Sequence, residues 1–209
     1  MIITLIIVFA LTLFYLSMAE RFRTYASLIG LQGVLLFGIA FFELQEIDLA
    51  NLLFIVTETL VFKAVVVPVL LFRIINKTQV FRVHPKTISG FYSLIMAMGS
   101  LLVSILLASL VKDGQIDSIF LTIAMFALFT GILLIVTHRR VFSHMIGFLI
   151  LENAVFLFSL AVGSKTPFFV NIGILLDIVV SILILGVFIG RIGARFNDLE
   201  TENLTDLRH

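Results

Sequence analysis

The chain has no cysteine and no tryptophan, and only 13% of its 209 residues are charged. Without cysteine it can form no disulfide, offer no thiolate to a metal and hold no cysteine-ligated iron–sulfur cluster. The shortage of charge excludes an ordinary soluble domain, where about a quarter of the residues are Asp, Glu, Lys or Arg. Basic residues are missing from the first run until Arg21. Ser17-Met18-Ala19 offers a small-x-small cleavage pattern, but a cleaved signal needs a basic leading region, so the run is expected to be retained. Gly-rich phosphate loops, metal-ligand spacings and nucleophile–base arrangements are also lacking. No catalytic residue, metal site or cofactor is therefore expected in this chain, and no nucleic-acid partner.

What is there is apolar: 61% of residues are hydrophobic, and the mean hydropathy is +1.21. A spanning helix needs roughly 20 apolar residues. Seven runs qualify: Ile2–Ala19, Thr24–Phe42, Leu49–Ile75, Ile88–Val111, Ser118–Thr137, Val141–Gly163 and Phe168–Gly190. In hydrocarbon the backbone must satisfy its own hydrogen bonds, which makes these runs helices. The expected fold is an all-α integral membrane protein with seven transmembrane helices in the lipid bilayer.

The basic residues alternate between loops. Arg21 and Arg23 follow the first run, and Arg73, Lys77, Arg82 and Lys86 the third. Arg139 and Arg140 follow the fifth, and Arg191, Arg195 and Arg208 the seventh. These are eleven of the 14 Lys and Arg residues; the opposite loops hold only Lys112 and Lys165, and Lys63 lies inside a span. Cytoplasmic loops carry the basic excess. The N-terminus is thus expected outside and the C-terminus inside, which requires an odd number of spans.

The first three runs resemble the last three. Arg21-Phe22-Arg23 leads to Ile29-Gly30, as His138-Arg139-Arg140 leads to Ile146-Gly147. Gln32 parallels Glu152, Glu58 parallels Asp177 and Arg73 parallels Arg191, at offsets between 117 and 120. The expected organisation is a first three-helix repeat over 1–75, a linker and helix over 76–112, and a second, parallel repeat over 113–192. A cytoplasmic tail over 193–209 completes it. The sequon Asn203-Leu204-Thr205 falls in that tail, where glycosylation has no meaning. Gly186 and Gly190 form a small-residue packing motif.

Four ionisable residues lie deep in the spans: Glu58, Lys63, Glu152 and Asp177. One charge at a helix centre costs roughly 2.5–3.5 kcal/mol on insertion scales, so such residues are functional candidates by default. With Gln32 they lie near one depth, which suits lateral proton transfer better than a simple pore. Glu58 and Lys63 are five residues apart, about 140° around an α-helix and over ~7 Å along it. A same-face pair is unavailable there, so each is expected to meet a partner on another helix or subunit. Pro68 withholds an N–H from the Ala64 carbonyl and can kink the helix beside Lys63. Glu152, next to polar Asn153, is expected to pair with Asp177, one carboxyl protonated while the other is ionised. His138 and His144, near the cytoplasmic ends of their helices, are candidates to pass protons or simply interfacial. Gln32, Pro68, His144 and Asn153 are assigned supporting roles. The plain reading of the charges is static packing, although one Lys cannot neutralise three carboxylates.

A basic pair, a helix with a central Gln or Glu and a next helix with a second acid resemble the small K subunit of respiratory complex I, here present twice. The chain more closely resembles component E of hydrogenase-4. The features that carry this are Lys63-Ala64-Val65-Val66-Val67-Pro68, Gly147 through Leu151-Glu152-Asn153, Ile172-Gly173-Ile174 with Asp177, and Asn203-Leu204-Thr205-Asp206-Leu207. The resemblance implies a non-catalytic membrane-arm subunit of an energy-converting hydrogenase of the formate hydrogenlyase type. Such a complex moves protons or sodium with electron transfer, in the cytoplasmic (inner) cell membrane of a prokaryote. The implied partners are large antiporter-like membrane subunits and peripheral subunits holding the nickel–iron site and iron–sulfur clusters. Glu152 and Asp177 match the two glutamates of the K-like proton path, with Asp177 one methylene shorter. Gln32 stands where the first copy should carry an acid, and it cannot hold a net charge. A stand-alone secondary transporter, or a purely structural assembly subunit, are the competing readings; midplane charges and repeats suit transporters too.

Overall fold

A computed structural model of the chain describes residues 1–43, 52–53, 55–78, 90–111, 116–138 and 141–163. Among these residues there are six α-helices, one π-helix and no strand. α1 spans Ile2–Met18 and α2 Phe22–Glu43. The π-helix, Val56–Val66, runs directly into α3, Val67–Thr78. α4 covers Gly90–Leu110, α5 Ser118–Thr137 and α6 Val141–Val162. The predicted ends of the first, second, fourth, fifth and sixth runs agree with these helices to within two residues. The seventh predicted run, Phe168–Gly190 with Asp177, lies outside the described residues, as does the tail.

Four helices, α2, α4, α5 and α6, are long and apolar enough to cross a membrane, and α1 is a shorter apolar helix. Helices of this length and composition are compatible with a multi-pass membrane protein. The outer surface supports this. Ile3, Ile7, Leu11 and Tyr15 form an exposed stripe on α1, while Phe9, Leu13 and Leu16 point inward. α4 is turned inside out relative to a soluble helix. Its buried face is Ser93, Ala97, Ser100, Ser104 and Ala108, whereas Met98, Leu102, Leu106 and Leu110 face outward. Small residues let helices approach where lipid removes the hydrophobic drive to associate. The Ser100 and Ser104 hydroxyls donate to the carbonyls of Ala97 (2.8 Å) and Ser100 (2.7 Å), so they need no partner across the interface.

Neighbouring helices are tied at their ends. Asp117 caps α5 by accepting from the N–H groups of Ile119 (2.8 Å) and Phe120 (3.2 Å). Its own N–H donates to the Ala161 carbonyl at the far end of α6 (2.9 Å), fixing α5 and α6 as an antiparallel pair. Within that pair Gly131 and Gly147 face each other: a Cβ on either would come within 2.9 Å of the other's carbonyl oxygen. Arg23, near the start of α2, donates to Asn76 near the end of α3 (3.0 Å), which ties these two helix ends together.

Candidate functional site

The structure corrects the expectation that Glu58 and Lys63 seek separate partners. Lys63 Nζ lies 3.4 Å from Glu58 Oε1, with both side chains almost wholly buried at 7% and 1% exposure. The reason is the helix type. The Val56–Val66 segment is π-helical, and its closing bond runs from the Val67 N–H to the Phe62 carbonyl, five residues back. In a π-helix a residue and its fifth neighbour stack along the axis, as i and i+4 do in an α-helix. The spacing that forbids the pair in one register creates it in the other. Lys63 also leans the right way, because helical side chains tilt toward the N-terminus. π-Helices are mostly single-turn bulges and favour functional sites; this one covers 11 residues.

Local chemistry explains where the π-helix starts and stops. Thr57 and Thr59 donate to the Leu53 and Ile55 carbonyls, each at 2.7 Å, at its entry. At its exit stands Pro68, second residue of α3. A proline ring clashes with the carbonyl four residues back and supplies no N–H. The register changes at this position, where there is no N–H to place. The Ala64 carbonyl, which would take that missing donor in an α-helix, faces Gly30: a Cβ there would lie 2.9 Å from Pro68 Cγ and 3.5 Å from the Ala64 oxygen. Gly33, one turn on, is tighter still. A Cβ would sit 2.6 Å from the Ala64 nitrogen and 2.7 Å from the Lys63 carbonyl carbon. α2 thus presents bare backbone to the segment that carries the ion pair.

A second polar chain crosses the bundle nearby. Gln32, fully buried in the middle of α2, donates through Nε2 to Thr12 Oγ1 on α1 (2.9 Å). It accepts through Oε1 from Asn153 Nδ2 on α6 (3.0 Å). The Thr12 hydroxyl in turn donates a hydrogen bond to the Phe9 carbonyl (2.6 Å). The neutral Gln32 therefore links three helices and holds no proton to exchange. The predicted supporting residues Gln32 and Asn153 meet directly, at the positions that the internal repeat matched or flanked.

α6 also reaches the ion pair. Lys63 Nζ sits 5.1 Å from the ring centroid of Phe156, within cation–π range. Glu152 lies four residues before Phe156 and is buried at 6% exposure; its Oε1 has no hydrogen-bond partner among the described residues. Its expected partner Asp177 lies outside them. His144 is placed elsewhere: its Nε2 donates to the His138 carbonyl (2.6 Å), while His138 Nδ1 lies 3.1 Å from the Leu134 carbonyl. The two histidines lie at the adjoining ends of α5 and α6. His138 also lines a cavity of about 20 Å³ with Ser17, Ser93, Thr130 and Thr137, room for about one water.

Thr12, Gly33 and Phe156 escaped the sequence reading. Thr12 and Gly33 are ordinary small residues of a spanning helix, and nothing singled Phe156 out among 22 phenylalanines. Opposite charges five apart, followed five residues later by proline, read as an excluded pair beside a kink when an α-helix is assumed; they are the one sequence signal that could have found the π-helix. No group of His, Asp and Glu suited to a metal occurs among the described residues. Comparison of the chain with family models, curated proteins and solved structures returned no match.

Proposed function

We propose that this chain is a non-catalytic membrane subunit of an ion-translocating complex, in which buried charge moves laterally between the Glu58–Lys63 pair and Glu152. The observation that carries the reading is the position of Lys63, between a carboxylate of its own helix and the α6 face that bears Glu152. As the ammonium leaves Glu58 for Glu152, Glu58 takes up a proton and Glu152 gives one up; its return reverses both. Each carboxyl is thus neutral when the cation is away, and no net charge is stranded in the low-dielectric interior. The bond between Gln32 and Asn153 supports two repeats that face each other at mid-membrane. In this reading Gln32 is a tie, and the active pair of the first repeat lies in the π-helix.

The likeness to component E of hydrogenase-4 gives the reading its setting. The complex is an energy-converting hydrogenase of the formate hydrogenlyase type in a prokaryotic inner membrane, moving protons or sodium as electrons pass. Antiporter-like subunits adjoin the chain, and nickel–iron and iron–sulfur subunits carry the redox chemistry. The test is proton uptake measured alongside electron transfer in vesicles holding the assembled complex. Glu152→Gln and Lys63→Ala are expected to lower coupled uptake about tenfold or more while assembly persists, with Glu152→Asp milder because it keeps a carboxyl. Normal coupling in both would make the charges structural. Ion movement at full rate by the isolated chain in liposomes would replace the subunit reading with a stand-alone transporter.

Topology gives an independent check. Seven spans with the C-terminus in the cytoplasm follow from the eleven basic residues on one side among 14. A compartment-sensitive reporter fused after His209 is expected to work only in its cytoplasmic form; activity on the outer face would overturn the orientation.

A further inference from the structure

We infer that Phe156 is a positioning residue for the buried cation, the aromatic face that Lys63 rests on between Glu58 and Glu152. The inference builds on the proposed lateral transfer and names the group that makes it passable. An ammonium cannot cross from one carboxylate to another through an apolar interior without some partner along the way. In an apolar stretch, a carbonyl oxygen or an aromatic face can stabilise that charge without taking its proton.

The geometry puts such a face in the right place. The Lys63 Nζ is 3.4 Å from Glu58 and 5.1 Å from the Phe156 centroid, so it contacts both at once. Phe156 is buried at 3% exposure, where water does not compete for the cation. On α6, Glu152 precedes Phe156 by four residues and Asn153 by three. Residues three and four apart share a helix face, so the ring lies between Asn153, which is bound to Gln32, and Glu152. Glu152 keeps one buried oxygen with no partner among the described residues, an acceptor within one helical turn of the ring. Several other phenylalanines pair with one another, as Phe14 does with Phe126 at 5.0 Å and Phe22 with Phe142 at 4.4 Å. The Phe156 ring lies under a charge.

A cation–π contact has a signature that packing lacks: it weakens stepwise as fluorine is added to the ring, at nearly constant size and shape. The experiment incorporates mono-, di- and trifluorophenylalanine at position 156 of the full chain and measures coupled proton uptake in vesicles of the assembled complex. Uptake is expected to fall with each fluorine, to survive in Phe156→Tyr and to drop roughly tenfold in Phe156→Leu. The fluorinated series keeps the test decisive even if Phe156→Leu fails to assemble. Equal coupling across the series, while Lys63→Ala abolishes it, overturns the role of Phe156 and leaves lateral transfer standing. Full coupling in Lys63→Ala overturns the transfer itself.

Discussion

Gly33→Leu is expected to remove most of the folded chain from the membrane, and Gly33→Ala to lower its melting temperature in detergent by roughly 5–10 °C. Even the single methyl group of alanine would lie 2.6 Å from the Ala64 nitrogen and 2.7 Å from the Lys63 carbonyl carbon. Both obstacles are backbone, and backbone in a continuous helix cannot rotate out of the way as a side chain can. The π-helix must move off α2, and it carries Glu58 and Lys63 with it. Overpacking of this kind typically costs 1–3 kcal/mol. Gly99 is the control, since a Cβ there meets nothing within 4 Å. In the exposed interior of α4, alanine should be neutral or stabilise by about 1 kcal/mol through helix propensity alone. Comparing the two alanine variants separates crowding from propensity. A Gly33→Ala chain that melts at or above the parent would mean that the close approach of α2 does not hold the π-helix in place.

Much of the fold was legible because hydrocarbon leaves the backbone little choice. An apolar run of sufficient length must be a helix, and the runs beginning at Ile2, Ser118 and Val141 start where helices start. Burial was legible too: Gln32, Glu58, Lys63 and Glu152 all lie inside the bundle. The pairing between them was not, because a step of five residues was converted to an angle by assuming 3.6 residues per turn. Composition does not encode the choice between α and π registers. That choice turns on Pro68, on the glycines of α2 and on the ion pair itself, and the last two are tertiary. Phe156 shows the same limit. An aromatic residue on an apolar helix reads as packing until another helix sets a cation over its face. Asp177 and the seventh run stay as expectations, since they lie outside the described residues.

The pair and the π-helix should also be one energetic unit, which a double-mutant cycle in detergent can measure. Lys63→Met leaves the Glu58 carboxylate buried without that ammonium, and Glu58→Gln does the converse to Lys63. Removing one partner of a buried pair costs about 3–5 kcal/mol, although Glu58 can evade part of this by taking up a proton. Glu58→Gln with Lys63→Met removes both charges, and with them the desolvation that the pair was needed to offset. The double variant is therefore expected to recover most of the stability that Glu58→Gln loses, giving a coupling energy of about 3 kcal/mol or more. It should nevertheless fail in coupled proton uptake, since no cation remains to move. The helix type sharpens the expectation. In an α-register the two side chains would stand about 140° apart and could not meet, so the attraction between them favours the π-register alone. Additive losses in the cycle would mean that the 3.4 Å approach contributes nothing to stability, and that the π-helix exists for Pro68 and Gly33 rather than for the charges it brings together.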